Sequence, residues 1–394
     1  MKIIHVNKDI CIVFGMMRIP YYSYVHWLGY VCVLDILNTL ALKNKFEYII
    51  DSIYKLKTKM SHNLPVQLGL CCMNTTLKRE KPPVYCSRRI IVRTVRKLGI
   101  DELKKRILKN LEDLLVMIQW NEDNGIKVFR LSSELFLHKT NPRVEDYTYD
   151  FAIPLLKRIG ALARKYNQRL TFHPGQYNVL ATTNCNAFLH TIEDLTYHAE
   201  VLDLMGMGRD SVMVIHGGGR YGDKKSTIKR WITNYRVLPT IIRNRLVLEN
   251  CERNFSIKDC LYISSECGVP IVMDTHHFNC YCRIYPDEHF NPPESYIEPV
   301  LKTWGKIKPK FHVSEQGNGR IGKHSNYIEI IPEYLLNIPK LYGVHIDIMV
   351  EAKMKELSIQ KLYERYPHLN CINVCTSSEH DKDSQEIQKL SSKD

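Results

Sequence analysis

Eight short apolar runs recur between residues 66 and 350, and at or just past the ends of most of them stands a His, Asp or Glu. The candidate strands are 66–70, 127–132, 169–173, 211–216, 245–250, 270–274, 309–314 and 341–350, most of them rich in Val, Ile, Leu and Phe. Segments of helical character lie between them, among them 101–124, 150–166, 186–205 and 256–267, the last opening with Ser256 in N-cap position. An open doubly wound sheet also alternates strand and helix. Eight repeats over this length match an α/β fold of the (β/α)8 TIM-barrel type better. A barrel further requires that functional residues gather at the carboxyl ends of many strands, around one mouth. His173, His216, Glu249, Asp274 with His277, His312 and Glu351 are spaced to do so.

Residues 1–65 lack the pattern and read as an N-terminal extension, 66–376 as the barrel domain, and 377–394, mostly polar and charged, as a solvated tail. The aromatic, apolar stretch at 20–34 is shorter than the roughly 20 residues a membrane span needs, and Asp35 closes it. It reads as a signal-anchor remnant, an added subdomain, or sequence upstream of a later start such as Met60; no stable membrane association is expected. Thirteen cysteines are scattered without paired zinc-site spacing or the density of a secreted disulfide scaffold. That usage points to a reducing, intracellular compartment, with nucleus and cytoplasm not separated. Lys and Arg number 55 against 42 Asp and Glu, a formal charge of +13, which suits a polyanionic partner such as nucleic acid without naming it.

Strand periodicity says which side chains can converge. Lys310 and His312 share one face of their run, and His345, Asp347 and Glu351 share one face of theirs if the strand stays regular. Phe311, Val313, Ile346, Ile348 and Val350 take the opposite face and should pack against helices, which turns the polar groups into the barrel. Singly, a strand His is commonly a satisfied structural group and a strand-end carboxylate a helix cap. Six strand ends carrying such groups together reverse that reading, because burying so many carboxylates and imidazoles without cations is strongly unfavourable. A site for several divalent metals is expected.

The segments 69–74 (GLCCMN), 129–133 (FRLSS), 173–177 (HPGQY), 216–219 (HGGG), 248–250 (LEN), 274–277 (DTHH), 310–312 (KFH) and 349–353 (MVEAK), in this order over residues 66–355, resemble the UV damage endonuclease family. The resemblance implies a barrel related to that of endonuclease IV. It implies up to three divalent metals, most often Mn2+, with Mg2+, Co2+ or Zn2+ as alternatives, and no nucleotide cofactor. It further implies incision of damaged double-stranded DNA immediately 5′ to cyclobutane dimers and 6-4 products, leaving a 3′-hydroxyl and a 5′-phosphate. Carried over residue by residue, His173, His216 and Glu249 match the ligands of one metal. Glu249 bridges to a second metal shared with Asp274, His312 and Glu351, and His277 and His324 match ligands of a third. Lys310 matches a lysine that can be carboxylated, and Glu249, Lys310 and Glu351 are the catalytic candidates. Gln176 and Tyr177 match residues that enter the duplex where the damaged dinucleotide is pushed out, with Asn74 as a further lesion contact.

Duplex binding is expected from basic loops at the same mouth: Arg220, Tyr221, Lys224 and Lys225, followed by Lys229 and Arg230, and in the seventh loop Arg320 and Lys323. Two positions depart from the family pattern. Leu70 stands where relatives often have an aromatic residue, and the 134–141 segment lacks the usual Ser-His ending, with His138 nearby. Three rivals remain at this point: an endonuclease IV-like enzyme acting at abasic sites, a barrel sugar isomerase, and a damage-binding protein without catalysis.

Overall fold

A strand that faces a barrel interior on one side and a helix layer on the other needs two kinds of side chain in strict alternation, and this chain supplies them. In the computed structural model the strands are β1 (Val66–Cys71), β2 (Val128–Arg130), β3 (Arg169–Thr171), β4 (Met213–His216), β5 (Leu246–Glu249), β6 (Ile271–Val272), β7 (Lys310–Val313) and β8 (Ile346–Val350). The structure describes residues 65–372 and, nearer the N-terminus, the backbone of 2–7 and 10–14. The stretch at 20–34 and the tail at 377–394 lie outside the described residues.

All barrel pairings are parallel. One hydrogen-bonded run has the order β3-β2-β1-β8-β7 and a second has β4-β5-β6. Single parallel bridges, Phe172 to Met213 and Asp274 to His312, join the two runs at both seams, so the eight strands close into a (β/α)8 barrel. The outward set, including Leu68, Leu70, Phe129, Leu170, Phe172, Ile215, Leu248, Ile271, Phe311, Ile346, Ile348 and Val350, belongs to the main apolar core beneath the helices. Burying such side chains contributes roughly 1.5–3 kcal/mol each. The other set combines apolar residues such as Val128, Val214, Val247, Val272 and Met349, which form separate small clusters, with polar and charged ones.

Caps mark several helix starts. Ser256 and Asp259 make a reciprocal capping box at the start of the helix Ile257–Cys267, and Gly268 ends it in left-handed conformation. The 24-residue helix Ile100–Asp123 and the helix Cys185–Leu204, capped by Asn184, lie within a residue or two of their expected bounds. The expected strand 341–350 is a correction. Its first residues belong to a short helix, Ile338–Tyr342, which Gly343 terminates at φ 66°, so the strand begins only at Ile346.

Two compact units divide the chain, Met1–Met60 and Ser61–Asp394. In the first, Lys2–Asn7 and Ile10–Phe14 pair as an antiparallel hairpin. Among the described residues no helix is long and apolar enough to cross a membrane.

Candidate metal centre

The strand register fixes depth inside the barrel. His216 pairs with Glu249 at the ends of β4 and β5, His312 pairs with Met349 one residue before the ends of β7 and β8, and Arg130 ends β2, so these residues stand at or next to the carboxyl ends of their strands. His173 follows β3, Glu351 follows β8, and Asp274 follows β6 as the N-cap of the helix Thr275–Ile284. His277 is the third residue of that helix; its backbone N–H donates to Asp274 Oδ1 at 2.8 Å, so one turn sets two of the expected ligands. His324 comes from the loop after β7, where Gln316 bridges back to it. The turn needs Gly317, since a Cβ there would lie 2.4 Å from the His324 carbonyl oxygen.

Glu249, fully buried, is the hub. Its Oε2 lies 3.1 Å from His173 Nε2 and 3.8 Å from His216 Nε2, and its Oε1 lies 2.9 Å from His312 Nδ1 and 3.4 Å from His277 Nδ1. Glu351 continues the cluster, 3.2 Å from His312 Nδ1 and 3.8 Å from His324 Nδ1. His277 Nδ1 is 3.9 Å from Asp274 Oδ2, and the two sets His173–His216–Glu249 and Glu249–Asp274–His277 each bring three ligand atoms within 4.8 Å of one another. The eight expected ligands are therefore gathered at one place.

The surroundings hold these groups in position. Asn250 and Asp274 exchange hydrogen bonds, side-chain amide to carbonyl at 3.1 Å and backbone N–H to side-chain oxygen at 2.9 Å. Burial alone would push Glu249 up, but the imidazoles of His312 and His216 beside it hold it well below the usual carboxylate range. For Asp274 burial wins, reinforced by Glu249 and Glu351 and opposed by His277, and its carboxyl is pushed up to about 7. Burial likewise lowers His216 to about 4. A neutral imidazole and an ionised carboxylate are the forms that ligate a cation; His216 and Glu249 already favour them, whereas Asp274 and His277, the latter raised against burial by Asp274 and Glu249, would each give up a proton to do so. The buried nitrogens His216 Nδ1 and His312 Nε2 have no hydrogen-bond partner. Orphaned imidazole nitrogens beside three carboxylates fit hard or borderline divalent metals.

Lys310 sits one layer below, fully buried, its ammonium donating to Thr171 Oγ1 at 2.9 Å. Burial first, then the guanidiniums of Arg169 and Arg130, bring its pKa down to about 7. Arg130 had no expected role. It ends β2 on the inward face, and its guanidinium pairs closely with Glu351. The available signal was its parity: it is a basic residue in the strand-end register otherwise occupied by ligands.

The expected DNA contacts divide. Gln176 and Tyr177 are exposed at the tip of the loop after β3, and the Tyr177 ring lies over Gly175, where a Cβ would meet it at 2.4 Å. Tyr221, Lys225, Arg320 and Lys323 are also exposed. Arg220 is held by the Arg253 carbonyl at 3.0 Å and the Tyr281 hydroxyl at 3.2 Å, and Lys224 by Asp259 at 2.5 Å. Asn74 is fully buried, with Oδ1 accepting from Leu77 N–H as a helix cap. Leu70 is buried in the core, and His138 binds the Ile90 carbonyl at 2.6 Å instead of joining the ligand cluster. Among the described residues, four of the five non-glycine residues at positive φ, Cys72, His138, Tyr221 and Lys355, lie on loops at this mouth. Strained backbone of this kind concentrates where a site must be held in shape.

His345 and Asp347 do not belong to the centre. His345 is exposed at the opposite end of the barrel, and Asp347 is buried there between Arg169, at 2.8 Å, and Lys308. Each residue of strand advances about 3.3 Å, so four residues of shared face separate Asp347 from Glu351 by roughly 13 Å of depth.

The family model for UV-endonuclease UvdE matches residues 66–381. A protein of Acanthamoeba polyphaga mimivirus, provisionally named as a UV-damage endonuclease, is 38% identical over 314 residues, covering 78% of this chain and 93% of that one. The UV-damage endonuclease of Schizosaccharomyces pombe is 33% identical over 312 residues, 76% of this chain but only 50% of the relative, so the chain spans about half of that protein. The UV DNA damage endonuclease of Bacillus cereus is 33% identical over 272 residues, 67% of this chain and 83% of the relative. Among solved structures, SacUVDE matches with a TM-score of 0.67 at 29% identity, over 77% of this chain and 99% of that one.

Proposed function

This chain belongs to the UV-endonuclease UvdE family and is a DNA endonuclease for ultraviolet damage; on that premise we propose that it hydrolyses the DNA backbone immediately 5′ to cyclobutane dimers and 6-4 products. The products are a 3′-hydroxyl and a 5′-phosphate. One observation carries the reading: five imidazoles and three carboxylates from the ends of six strands converge on Glu249 and Glu351, on the same face as exposed Gln176 and Tyr177.

His173, His216 and Glu249, then Glu249, Asp274, His312 and Glu351, then His277 and His324, would hold up to three divalent cations, Mn2+ foremost. When bound, such cations lower the pKa of water, screen the phosphate and stabilise the departing 3′ oxygen. The protein's own residues do the rest. Glu249 offers one oxygen to each half of the cluster and keeps the two halves in register. Arg130 holds Glu351 from the side away from His324. Lys310, brought down to about 7, has a substantial share of neutral amine near that pH; the amine can add to carbon dioxide and release a proton to become a carbamate, which would add an anion beneath the cations. Tyr177 supplies a planar ring to replace a lost base stack, and Gln176 an amide for orphaned base edges. A crosslinked dinucleotide stacks poorly and costs less to extrude than intact bases, which selects the lesion.

Matched duplexes carrying a cyclobutane dimer or an abasic site, incubated with Mn2+, test the proposal. The expected result is a nick 5′ to the dimer with ligatable 3′-hydroxyl ends. Cleavage confined to the abasic duplex would transfer the chain to the endonuclease IV type of activity. Equal nicking by a Glu249→Gln variant would remove the shared carboxylate from the mechanism.

A further inference from the structure

The loops after β1 and β2 carry cations that the expected DNA contacts did not include. In this neighbourhood Arg88 is matched by Asp113 at 2.6 Å, Arg89 by Glu134, and Arg106 by Glu102 at 3.0 Å. Arg93, Arg96 and Arg143 are different. All three are exposed and line one open cleft of about 510 Å3 together with Val92. Among the described residues none of the three side chains has a hydrogen bond or ion pair, and Glu145, two residues past Arg143, pairs with none of them. Guanidiniums drawn around one cleft without a carboxylate repel one another, and an anion relieves that repulsion.

Position identifies the anion. Both loops leave the carboxyl ends of their strands, so the cleft opens on the face that carries the metal centre. Through Val92 it adjoins a second cleft of about 640 Å3, lined by Arg89, Ile91, Phe136, His138 and Tyr177. A track thus runs from Tyr177 to the three arginines. The track's far end has no aromatic lining to stack a base, which leaves the phosphodiester backbone, and guanidinium forks suit phosphate oxygens. Meanwhile Arg220 and Lys224 across the mouth are held by internal partners.

We propose that Arg93, Arg96 and Arg143 form a phosphate-binding surface that grips the duplex flanking the lesion, on the Tyr177 side of the metal centre. The surface rests on the endonuclease reading and adds the side from which the duplex is held.

The test is binding of an undamaged and an ultraviolet-irradiated duplex, each extending well past the lesion on both sides, across a range of salt concentrations. Replacing the three residues by Gln (R93Q, R96Q and R143Q together) should weaken both duplexes by the same factor, because phosphate contacts carry no sequence information. The slope of log K against log[salt] should shrink by about 0.9 for each phosphate no longer neutralised, roughly 1–3 in all. Lys at the same three positions should restore the slope. An unchanged slope in the Gln variant, while the wild-type protein nicks irradiated duplex, overturns this surface alone. A wild-type protein that neither binds nor nicks the duplex overturns the surface and the endonuclease reading together.

Discussion

The two ends of the barrel interior bury charge in opposite ways. At the lower end Asp347 lies between Arg169 and Lys308, and Arg169 also donates to the carbonyls of Asp210 at 2.6 Å and Lys308 at 3.0 Å. Two cations there hold a single carboxylate. At the upper end three carboxylates face one guanidinium, and imidazole nitrogens are left without partners. The same strands build both ends: β3 gives Arg169 below and leads to His173 above, and β8 gives Asp347 below and leads to Glu351 above. Period-2 alternation therefore makes a plug and a receptor from one pattern. What separates them is the sign of the excess: cations outnumber the carboxylate at the lower end, and carboxylates outnumber the guanidinium at the upper.

That contrast breaks most severely at the lower end. Asp347→Ala leaves Arg169 buried without its carboxylate, and such a removal costs about 3–5 kcal/mol. Denaturant unfolding should show that loss with and without Mn2+ alike, while calorimetric Mn2+ binding to the folded variant stays near wild type. If Mn2+ binding were lost as well, the two ends would not be independent. At the upper end Glu249→Gln should reduce nicking by more than about a hundredfold, the upper range for removing a mere supporting group of a metal ligand. Its metal-free stability should fall, but by less than in Asp347→Ala, because the imidazoles lose the carboxylate they hold ionised while the crowding of three carboxylates is relieved, and the stabilisation given by Mn2+ should shrink. A metal-free variant as damaged as Asp347→Ala would mean that the upper cluster is structural.

Much of this was legible in the alternation itself. Parity alone assigned Phe311, Val313, Ile346, Ile348 and Val350 outward, and the strand-end His, Asp and Glu residues inward. Which level holds the site was not legible, because His345, Asp347 and Glu351 satisfy the same parity, and their spacing gives their separation but not where the strand starts, which is Ile346. Nor were competing partners. Sequence offered Arg220 and Lys224 as free cations, and only folding brings Tyr281 and Asp259 against them. Asn74 stands in a motif, yet its oxygen is taken by a helix cap. Local chemistry such as the Ser256 box was readable because both partners lie within one turn.

Arg130 sharpens the comparison because its guanidinium pairs with Glu351 as that of Arg169 pairs with Asp347 below. Arg130→Met should cost about 1.5–3 kcal/mol in the metal-free protein, the range for a charge-assisted hydrogen bond. Mn2+ should recover part of it, because a bound cation takes over the neutralisation of Glu351. The thermal shift on adding Mn2+ should therefore be larger in the variant than in the wild type. An equal shift would confine Arg130 to packing.

The smallest effect is a proton. Asp274 is pushed from 3.8 up to about 7 by burial and the nearby Glu249 and Glu351. Below pH 7 the metal-free folded protein therefore keeps a proton that the unfolded chain has already released above pH 4. Asp274 thus favours folding most at low pH, and its contribution is lost as pH rises through 7. Cation binding has to displace that proton, since only the carboxylate ligates. At pH 6, Mn2+ titration in buffers of different ionisation enthalpy should release about one proton more from the wild type than from Asp274→Asn, a difference that should disappear by pH 8. Asp347 provides the contrast, because Lys308 and Arg169 hold its pKa down against burial. It has no proton to give up at pH 6, and Asp347→Asn should leave the count unchanged. A change of one proton on altering Asp347 would show the two ends titrating as a single cluster, and the division between a cation-rich and a carboxylate-rich end would then fail.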